Sequence, residues 1–144
     1  MGYDIDIRRL DSKYKYLTAE ELFEKYKIFD EDLDCISEKI ENLYMSYNHS
    51  KMFTELDIYP RSFNFERVKT ILPKYIEALE KLKVDEDVDK EVVKIYEECE
   101  DYWEFQEKYK MDYFEKSKTV VYVIVSETIK TLKKCDENDF WFSD

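Results

Sequence analysis

The sequence predicts an α+β fold, in which a single, mostly helical domain covers residues 1–144 and includes a small sheet of two or three strands. Three observations support this prediction. The most apolar segment, Lys118–Lys134, has the periodicity of a helix. Residues 3–8 alternate apolar and charged side chains as a strand does, and several segments between these two have helical spacing. A chain of 144 residues is also long enough to bury a core of its own.

The segment Lys118–Lys134 gives two conflicting signals. Its first half, TVVYVIV, is rich in residues that suit a pleated strand. Over the whole segment, however, apolar residues recur at intervals of three and four, and the pattern continues past the length of a usual strand. We therefore predict a helix that is held by packing on several sides. Its apolar face comprises Val121, Ile124, Val125, Thr128, Ile129 and Leu132.

The first predicted strand comprises residues 3–8 and has Tyr3, Ile5 and Ile7 on its buried face. Residues 18–21, TAEE, have the pattern of a capping box, in which the threonine hydroxyl accepts from an early helix N–H group and the glutamate reaches back. We therefore predict a short helix from Ala19 to about Lys27. Its inward-facing residues are Leu22, Phe23 and Tyr26.

An ambiguous segment follows the acidic residues 30–34, which are predicted to form a connector or the beginning of a helix. Residues 36–47 have helical spacing at their beginning and strand-like alternation at their end. We therefore divide them and predict a strand over about residues 42–47. Residues 50–56 predict a short helix with Met52, Phe53 and Leu56 as its apolar side chains.

Two prolines shape the next part of the chain. Pro60 disfavours a helical conformation for the residue before it, so residues 58–61 predict a turn or loop. Asn64 can cap the next helix, whereas Pro73 is not tolerated in the middle of a helix. We therefore predict that residues 65–82 form two helical pieces that meet near Leu72. The core face of the second piece comprises Ile76, Leu79 and Leu82.

The C-terminal part is predicted to contain a further long helix before Lys118–Lys134. The acids of residues 84–89 suit the positive end of a helix dipole, and the helix runs from residue 88 to about residue 109. The chain then folds back over residues 110–118, and the hydrophobic tail of residues 139–142 can add an edge strand. The predicted long helix has a broad, largely aromatic side formed by Val92, Ile95, Tyr96, Cys99, Tyr102, Trp103 and Phe105.

The net charge of the chain favours some classes of binding partner and disfavours others. The chain has 35 acidic and 23 basic side chains, a formal net charge of −12. This charge repels nucleic acid and anionic membranes, so we predict no direct binding to either, while it speeds encounter with a basic protein. No apolar stretch reaches the roughly 18 residues of a membrane span, and no signal-peptide core is visible at the beginning. With three widely spaced cysteines besides, we predict a cytoplasmic protein with reduced thiols.

The residue inventory excludes several enzyme classes. His49 is the only histidine, which excludes zinc sites of the HExxH type and others with two imidazole ligands. The only glycine is Gly2, so the chain can form no Walker loop, GxGxxG motif or GxSxG motif. We accordingly predict no cofactor.

One acidic cluster imitates a metal site. Asp85, Asp87 and Asp89 are spaced like the first ligands of a calcium loop. Lys90 and Tyr96, however, stand where that loop requires a glycine and a bidentate glutamate. The sequence therefore predicts a helix-capping cluster and no metal site.

The residues Tyr47, Asn48 and His49 suggest a competing hypothesis, a small enzyme that uses a carboxylate, a tyrosine and the histidine. Their spacing does not support a Cys–His or Ser–His–Asp set. A half-exposed turn or helix-cap role for His49 is therefore favoured. A deep pocket that holds His49 beside a carboxylate would favour the enzyme, whereas a filled core would not.

Several short motifs occur in a suggestive order: MGYDIDI over residues 1–7, MSYNH over residues 45–49 with Met52 and Phe53, ILPKYIEAL over residues 71–79, DYWE over residues 101–104, and residues 120–144. Together they resemble a group of small bacterial and phage proteins with an MGYDI start, a TYNY-type turn, a DYWE box and a C-terminal helix with an acidic, Trp-containing tail. This chain departs from the group in residues 105–118, which are long, charged and without glycine, and in extra residues between 82 and 101. The resemblance implies a helix for Lys118–Lys134 but no activity, because the group has no established function.

The function predicted from these observations is non-catalytic binding and inhibition of a basic protein, as by a toxin-immunity protein or a phage-encoded inhibitor of a bacterial defence system. The predicted partner-binding residues are Asp85, Glu86, Asp87, Asp89, Glu97, Glu98, Glu100, Asp101, Tyr102 and Trp103. Aromatic residues at helical spacing usually belong to a core, but any exposed together beside these acids would anchor a partner. The aromatic set is Tyr102, Trp103, Phe105, Tyr109, Tyr113 and Phe114. A third hypothesis is a self-associating structural protein, a homo-oligomer.

Overall fold

The chain forms a three-stranded antiparallel sheet with helices packed against it, which confirms the predicted α+β class. The computed structural model describes residues 1–14, 17, 18, 20, 21, 24 and 30–143. The strands are β1 Gly2–Leu10, β2 Ser37–Ser46 and β3 Phe140–Ser143. The helices of the described residues are α1 Asp30–Ile36, α2 Ser50–Glu55, α3 Val68–Lys83, α4 Lys90–Glu98, α5 Tyr102–Tyr109 and α6 Lys118–Lys134. Short 3₁₀ turns occupy Ser12–Tyr14, Tyr47–His49 and Pro60–Phe63.

The sheet has the strand order β2, β1, β3, so the N-terminal strand is central and pairs with the C-terminal strand on one side. The predicted first strand is confirmed, since Tyr3, Ile5 and Ile7 are all buried. The C-terminal tail forms β3 at one end of the sheet, as predicted, with Ile7 opposite Trp141. The whole of β3 is buried because the chain preceding α3 lies along its outer edge.

Asn64 lies in the segment beside the outer edge of β3. It does not cap α3, so the predicted capping role of Asn64 is wrong. Its side-chain N–H donates to the Ser143 carbonyl oxygen at 3.0 Å, and its Oδ1 accepts from the Ser143 N–H at 2.5 Å. The cap position of α3 belongs to Arg67, which makes no side-chain capping bond. Asn64 instead supplies the donor and acceptor that a neighbouring strand would offer, and so closes the end of β3.

Helix α6 lies in the core over the predicted bounds, Lys118–Lys134. Its residues from Val120 to Ser126 are consecutively buried, so the helix is enclosed on all sides over nearly two turns. A helix in this position needs no polar face, which explains a composition that locally resembles a strand. The Ser117 hydroxyl caps its first turn by accepting from the Val120 N–H at 3.2 Å.

Strand β2 begins at Ser37, earlier than the predicted start near residue 42. It pairs with β1 from Gly2 opposite Ser46 to Leu10 opposite Ser37, with a shift of register between Ile7 and Arg8. Pairing with β1 therefore extends β2 through the segment with helical spacing. The acidic stretch before it does begin a helix, α1. Part of the predicted capping box is present, since the Thr18 hydroxyl accepts from the Glu21 N–H at 3.1 Å. Glu20, Glu21 and Glu24 of the predicted helix are helical, and its inward-facing residues Leu22, Phe23 and Tyr26 lie outside the described residues.

Helix α3 is continuous through Pro73, which corrects the predicted break near Leu72. Pro73 is exposed in the second turn, where it removes a single backbone hydrogen bond near the beginning of a sixteen-residue helix. The predicted core face is also shifted, because Ile76 is 40% exposed. The buried face comprises Val68, Ile71, Tyr75, Ala78 and Leu82.

The predicted long helix of residues 88–109 is two helices, α4 and α5. Asp101 begins α5 by accepting from the Glu104 N–H at 2.8 Å, and the Glu104 carboxylate accepts from the Glu100 N–H at 2.6 Å. The two bonds form a variant of the capping box with the spacing Asp-x-x-Glu, in which the glutamate reaches the N–H group of Glu100, one residue before the cap. The DYWE motif therefore contained a helix-start signal that the periodicity of the flanking residues concealed.

The three cysteines, Cys35, Cys99 and Cys135, are free thiols. Burial raises the pKa of the Cys135 thiol to about 11. Within the described residues, no helix combines the length and the apolar character that crossing a bilayer requires.

Candidate functional site

A cleft of about 350 Å³ lies between the outer part of β2, the beginning of α5 and one side of α6. We call it the aromatic cleft, because four of its lining residues are Tyr or Trp. Tyr113, in the loop between α5 and α6, closes one wall. The lining residues are Asn42, Leu43, Tyr44, Met45, Tyr102, Trp103, Tyr113, Val123, Ile124, Glu127, Thr128 and Thr131.

Trp103 stands at the cleft with 74% of its surface exposed. Its exposure follows from its place in the first turn of α5, where Phe105 is the residue that enters the core. Phe105 packs edge to face on Tyr96, with ring centroids 5.3 Å apart, and fixes the rotation of α5. Tyr102, half-buried beside Trp103, has its ring centroid 5.6 Å from that of the indole. Two aromatic rings at the cleft are thus held by a rigid helix.

Glu127 is the one carboxylate among the described residues that line the cleft. Its Oε2 accepts hydrogen bonds from the Tyr96 hydroxyl and from Lys130 Nζ, the latter at 3.2 Å. Burial and the contact with Glu127 raise the pKa of Tyr96, because both disfavour a phenolate there. Tyr96 therefore stays a neutral donor, and the bond ties α4 to α6.

Tyr113 attaches the loop between α5 and α6 to the end of β2. Its hydroxyl donates to the Tyr44 carbonyl oxygen at 2.6 Å, and its own carbonyl oxygen contacts His49 Nε2 at 2.9 Å. Beside it, Asn48 Nδ2 donates to the Phe114 carbonyl oxygen at 3.1 Å. Burial raises the pKa of the Tyr113 phenol, so it remains a donor. These bonds hold one wall of the aromatic cleft in place.

His49 is completely buried, which corrects the predicted half-exposed position. Its ring packs against Phe53 and Tyr113, with centroids 5.9 Å away in each case. Nε2 is used to hold the loop, and Nδ1 has no hydrogen-bond partner among the described residues. Tyr47, two residues before His49, is partly exposed, and its hydroxyl oxygen accepts a hydrogen bond from Arg61 at 2.9 Å. His49 thus lies in a filled core, and the described residues place no carboxylate against it.

The buried imidazole predicts a pH dependence of stability. Burial lowers the pKa of His49 below its usual value, because a proton on Nδ1 would be enclosed without an acceptor. As the pH falls through about 6.5, the imidazole is protonated in the unfolded chain but remains neutral in the folded chain. The free energy of unfolding therefore falls. Each unit by which the pKa is lowered contributes about 1.4 kcal/mol.

The matched variant is His49→Gln, whose amide nitrogen can take the place of Nε2 but does not titrate. Urea denaturation of both proteins at several pH values between about 7 and 5 measures the effect. We expect the wild type to lose more stability than His49→Gln over this interval. Equal losses would show that the imidazole is not responsible.

The acids near the beginning of α4 are engaged in structure. Asp85 and Asp87 contact Lys118 Nζ at 2.7 Å and 3.5 Å, and the ion pair lowers the pKa of Asp85. Asp89 caps α4 by accepting from the Glu91 and Val92 N–H groups. Glu86 is exposed. The predicted helix-capping role is thus confirmed for Asp89. Asp85 and Asp87 instead form ion pairs that connect the segment between α3 and α4 to the beginning of α6.

The second predicted acidic group is next to the aromatic cleft. Glu97 accepts from the Tyr122 hydroxyl at 2.7 Å, Asp101 caps α5, and Glu98 and Glu100 are exposed. The two groups do not form one surface cluster, because α4 separates Asp89 from Glu97 by roughly 12 Å at 1.5 Å per residue. Of the predicted binding residues, only Tyr102 and Trp103 line the cleft itself.

Tyr44 and Glu127 are among the cleft residues that sequence reasoning missed. Tyr44 is 45% exposed and lies between half-buried Leu43 and buried Met45 on β2. The alternation that indicated a strand there also assigned Tyr44 to the outer face, so this signal was present. Glu127 gave no comparable signal, because it is one of 35 acidic residues and its place is set by the packing of α6.

Comparison with known proteins finds no matching family, no similar curated sequence and no similar solved structure. Any functional assignment therefore rests on the geometry and charge of the cleft.

Proposed function

We propose that this chain is a non-catalytic protein that binds a basic protein partner and blocks it, as a toxin-immunity protein or a phage-encoded inhibitor of a bacterial defence system does. The observation that carries the proposal is Trp103, an indole 74% exposed at an aromatic cleft on a chain with a net charge of −12.

An exposed indole over a cleft is suited to binding a protein. Trp and Tyr are enriched among the residues that contribute most to binding energy, especially where they pack into desolvated pockets. Trp103 is on a helix that is capped by Asp101 and anchored by Phe105, so its backbone needs no ordering when a partner arrives. A side chain on an ordered helix costs less entropy on binding than one on a flexible loop, because the backbone is already fixed.

The charge supports a basic partner. Glu98, Glu100 and Asp101 are exposed immediately before the two cleft aromatics. Exposed charges of this kind contribute mainly to the rate of encounter, and salt screens that contribution. The acids would therefore guide a basic protein to the cleft, where the aromatic contacts would retain it.

A quantitative capture experiment tests the proposal. Wild type, Trp103→Ala and Val84→Ser are immobilised and exposed to host lysate at low and at high salt. Val84 is 82% exposed and directly precedes Asp85, in the acidic group near the beginning of α4. Its replacement is the control for general adhesion through exposed apolar side chains. We expect a basic protein on wild type and on Val84→Ser, weaker capture at high salt, and a loss of affinity of about 30-fold or more for Trp103→Ala.

Light scattering of the purified proteins distinguishes the self-association hypothesis. A wild type that forms oligomers through Trp103 and retains no other protein would contradict the proposal. Capture that is equal for all three proteins would contradict the assignment of the cleft as the binding site.

A further inference from the structure

We infer that the aromatic cleft receives the guanidinium group of an arginine side chain of the basic partner, an inference that rests on the proposed function.

The size of the cleft indicates a single side chain. A volume of about 350 Å³ is near the lower end for ligand pockets, so the cleft is too small for a helix or a folded loop. Its apolar lining includes Leu43, Val123 and Ile124. Long cationic side chains bury their methylene groups along apolar surface of this kind while the charged end remains at the polar rim.

The aromatic rings provide a surface for a cation. The planes of Tyr102 and Trp103 lie at 70° to each other, so the cleft has ring faces in two directions. An aromatic face carries negative electrostatic potential and attracts a cation within about 6 Å, and Trp does so most strongly. The same potential disfavours an anionic ligand, as does the charge of the chain.

Glu127 supplies a counter-charge in the cleft, and the chain itself illustrates the chemistry. Lys130 Nζ is 3.2 Å from Glu127 Oε2 and 4.6 Å from the centroid of the Tyr96 ring, so an ammonium group already occupies a position between a ring and this carboxylate. Both hydrogen bonds of Glu127 among the described residues are made through Oε2. Oε1 is therefore the atom that can accept from a cation in the cleft.

Arginine fits this arrangement better than lysine. A planar guanidinium stacks on aromatic faces and is more weakly hydrated than an ammonium group, so it loses less on entering a half-apolar cleft. Its N–H groups lie in the plane of the guanidinium, so a group that stacks on a ring keeps them free to donate to a carboxylate. A lysine ammonium would meet the carboxylate as a compact point charge, in direct competition with Lys130.

Titration of the isolated protein with small probes tests this inference without the partner. N-acetyl-arginine amide, N-acetyl-lysine amide and N-acetyl-citrulline amide are added to isotope-labelled protein, and the two indole N–H signals are followed by NMR. Citrulline has nearly the shape of arginine without its charge. Trp141, which is fully buried, is the internal reference for an intact fold. We expect arginine amide to shift the Trp103 signal and the methyl signals of Val123 and Ile124, with lysine amide several-fold weaker and citrulline amide without effect.

Three variants locate the site. Trp103→Ala, followed through the methyl signals, is expected to weaken arginine binding about 2- to 30-fold, the range that corresponds to a cation–aromatic contact. Glu127→Gln is expected to weaken it as well. Lys130→Gln removes the competing ammonium and is expected to strengthen it, a change that a damaged fold would not produce.

Two results would overturn the inference. One is an absence of arginine-induced shifts at Trp103, Val123 and Ile124; the other is equal shifts by arginine and lysine spread over the acidic surface. If the partner is nevertheless captured through Trp103, the proposed function stands and only the arginine site is wrong. Arginine binding in the cleft without any captured partner would support the site and contradict the proposed function.

Discussion

Replacement of Trp141 by alanine is expected to lower the free energy of unfolding by about 3–5 kcal/mol, the range for deletion of a large buried aromatic side chain. Trp141 is fully buried at the centre of β3 and packs on Phe63 and Tyr75, with ring centroids 5.8 Å away in both cases. Its indole N–H donates to the Pro60 carbonyl oxygen at 2.9 Å. The variant therefore loses the packing, leaves a cavity and removes the donor of a buried carbonyl group.

Trp141→Phe separates these contributions. It keeps an aromatic ring in the site but leaves the Pro60 carbonyl oxygen without this donor, so we expect a smaller loss of about 1–3 kcal/mol. Urea denaturation followed by circular dichroism measures both variants. A loss below about 1 kcal/mol for Trp141→Ala would show that β3 is not an integral part of the sheet.

Replacement of Val125 by aspartate is expected to lower the free energy of unfolding at neutral pH by about 4 kcal/mol or more. Val125 is fully buried in α6, within the run of consecutive buried residues that begins at Val120. A carboxylate at this position would be enclosed without a partner, and an unpaired buried charge costs several kcal/mol even after its pKa has risen. Total stabilities of small domains are about 5–15 kcal/mol, so a loss of about 4 kcal/mol or more removes a large share of the stability.

The control for this change is Val125→Thr, which has nearly the same shape and branching but a hydroxyl group that can donate to the carbonyl oxygen of the preceding turn. Thr128 already makes such a bond, to the Ile124 carbonyl oxygen at 2.8 Å. Circular dichroism and the dispersion of NMR signals compare the two variants. A folded Val125→Asp protein with wild-type stability would mean that α6 is not at the centre of the core.

Several elements were predictable because their signals are local. The alternation of residues 3–8 gave β1, and helical periodicity gave α6 in spite of its strand-like first half. The hydrophobic tail was correctly assigned to an edge strand, β3. In β1 the spacing alone specifies the residues that face the core, whereas α6 and β3 are recognisable by their apolar residues and are buried on more than one side.

Other features depend on what the rest of the chain offers. Pro73 appeared to break α3, but the buried face from Val68 to Leu82 continues past it, and packing of that face outweighs one lost backbone bond. The beginning of β2 has helical spacing but pairs with β1, because a long neighbouring strand offers hydrogen bonds along its whole length. His49 was expected to be half-exposed and is buried, since the loop that carries Tyr113 covers it.

The sequence by itself determined the α+β class, the central helix, the acidic surface charge and the narrow chemical inventory, because each depends on composition or on spacing along one element. Only the tertiary structure decided that Trp103 is exposed while Phe105 is buried, and that Tyr44, Tyr113 and Glu127 join Trp103 around one cleft. These residues come from separate segments of the chain. Their proximity is set by which surfaces pack across β2, α5 and α6, and no local pattern carries that information.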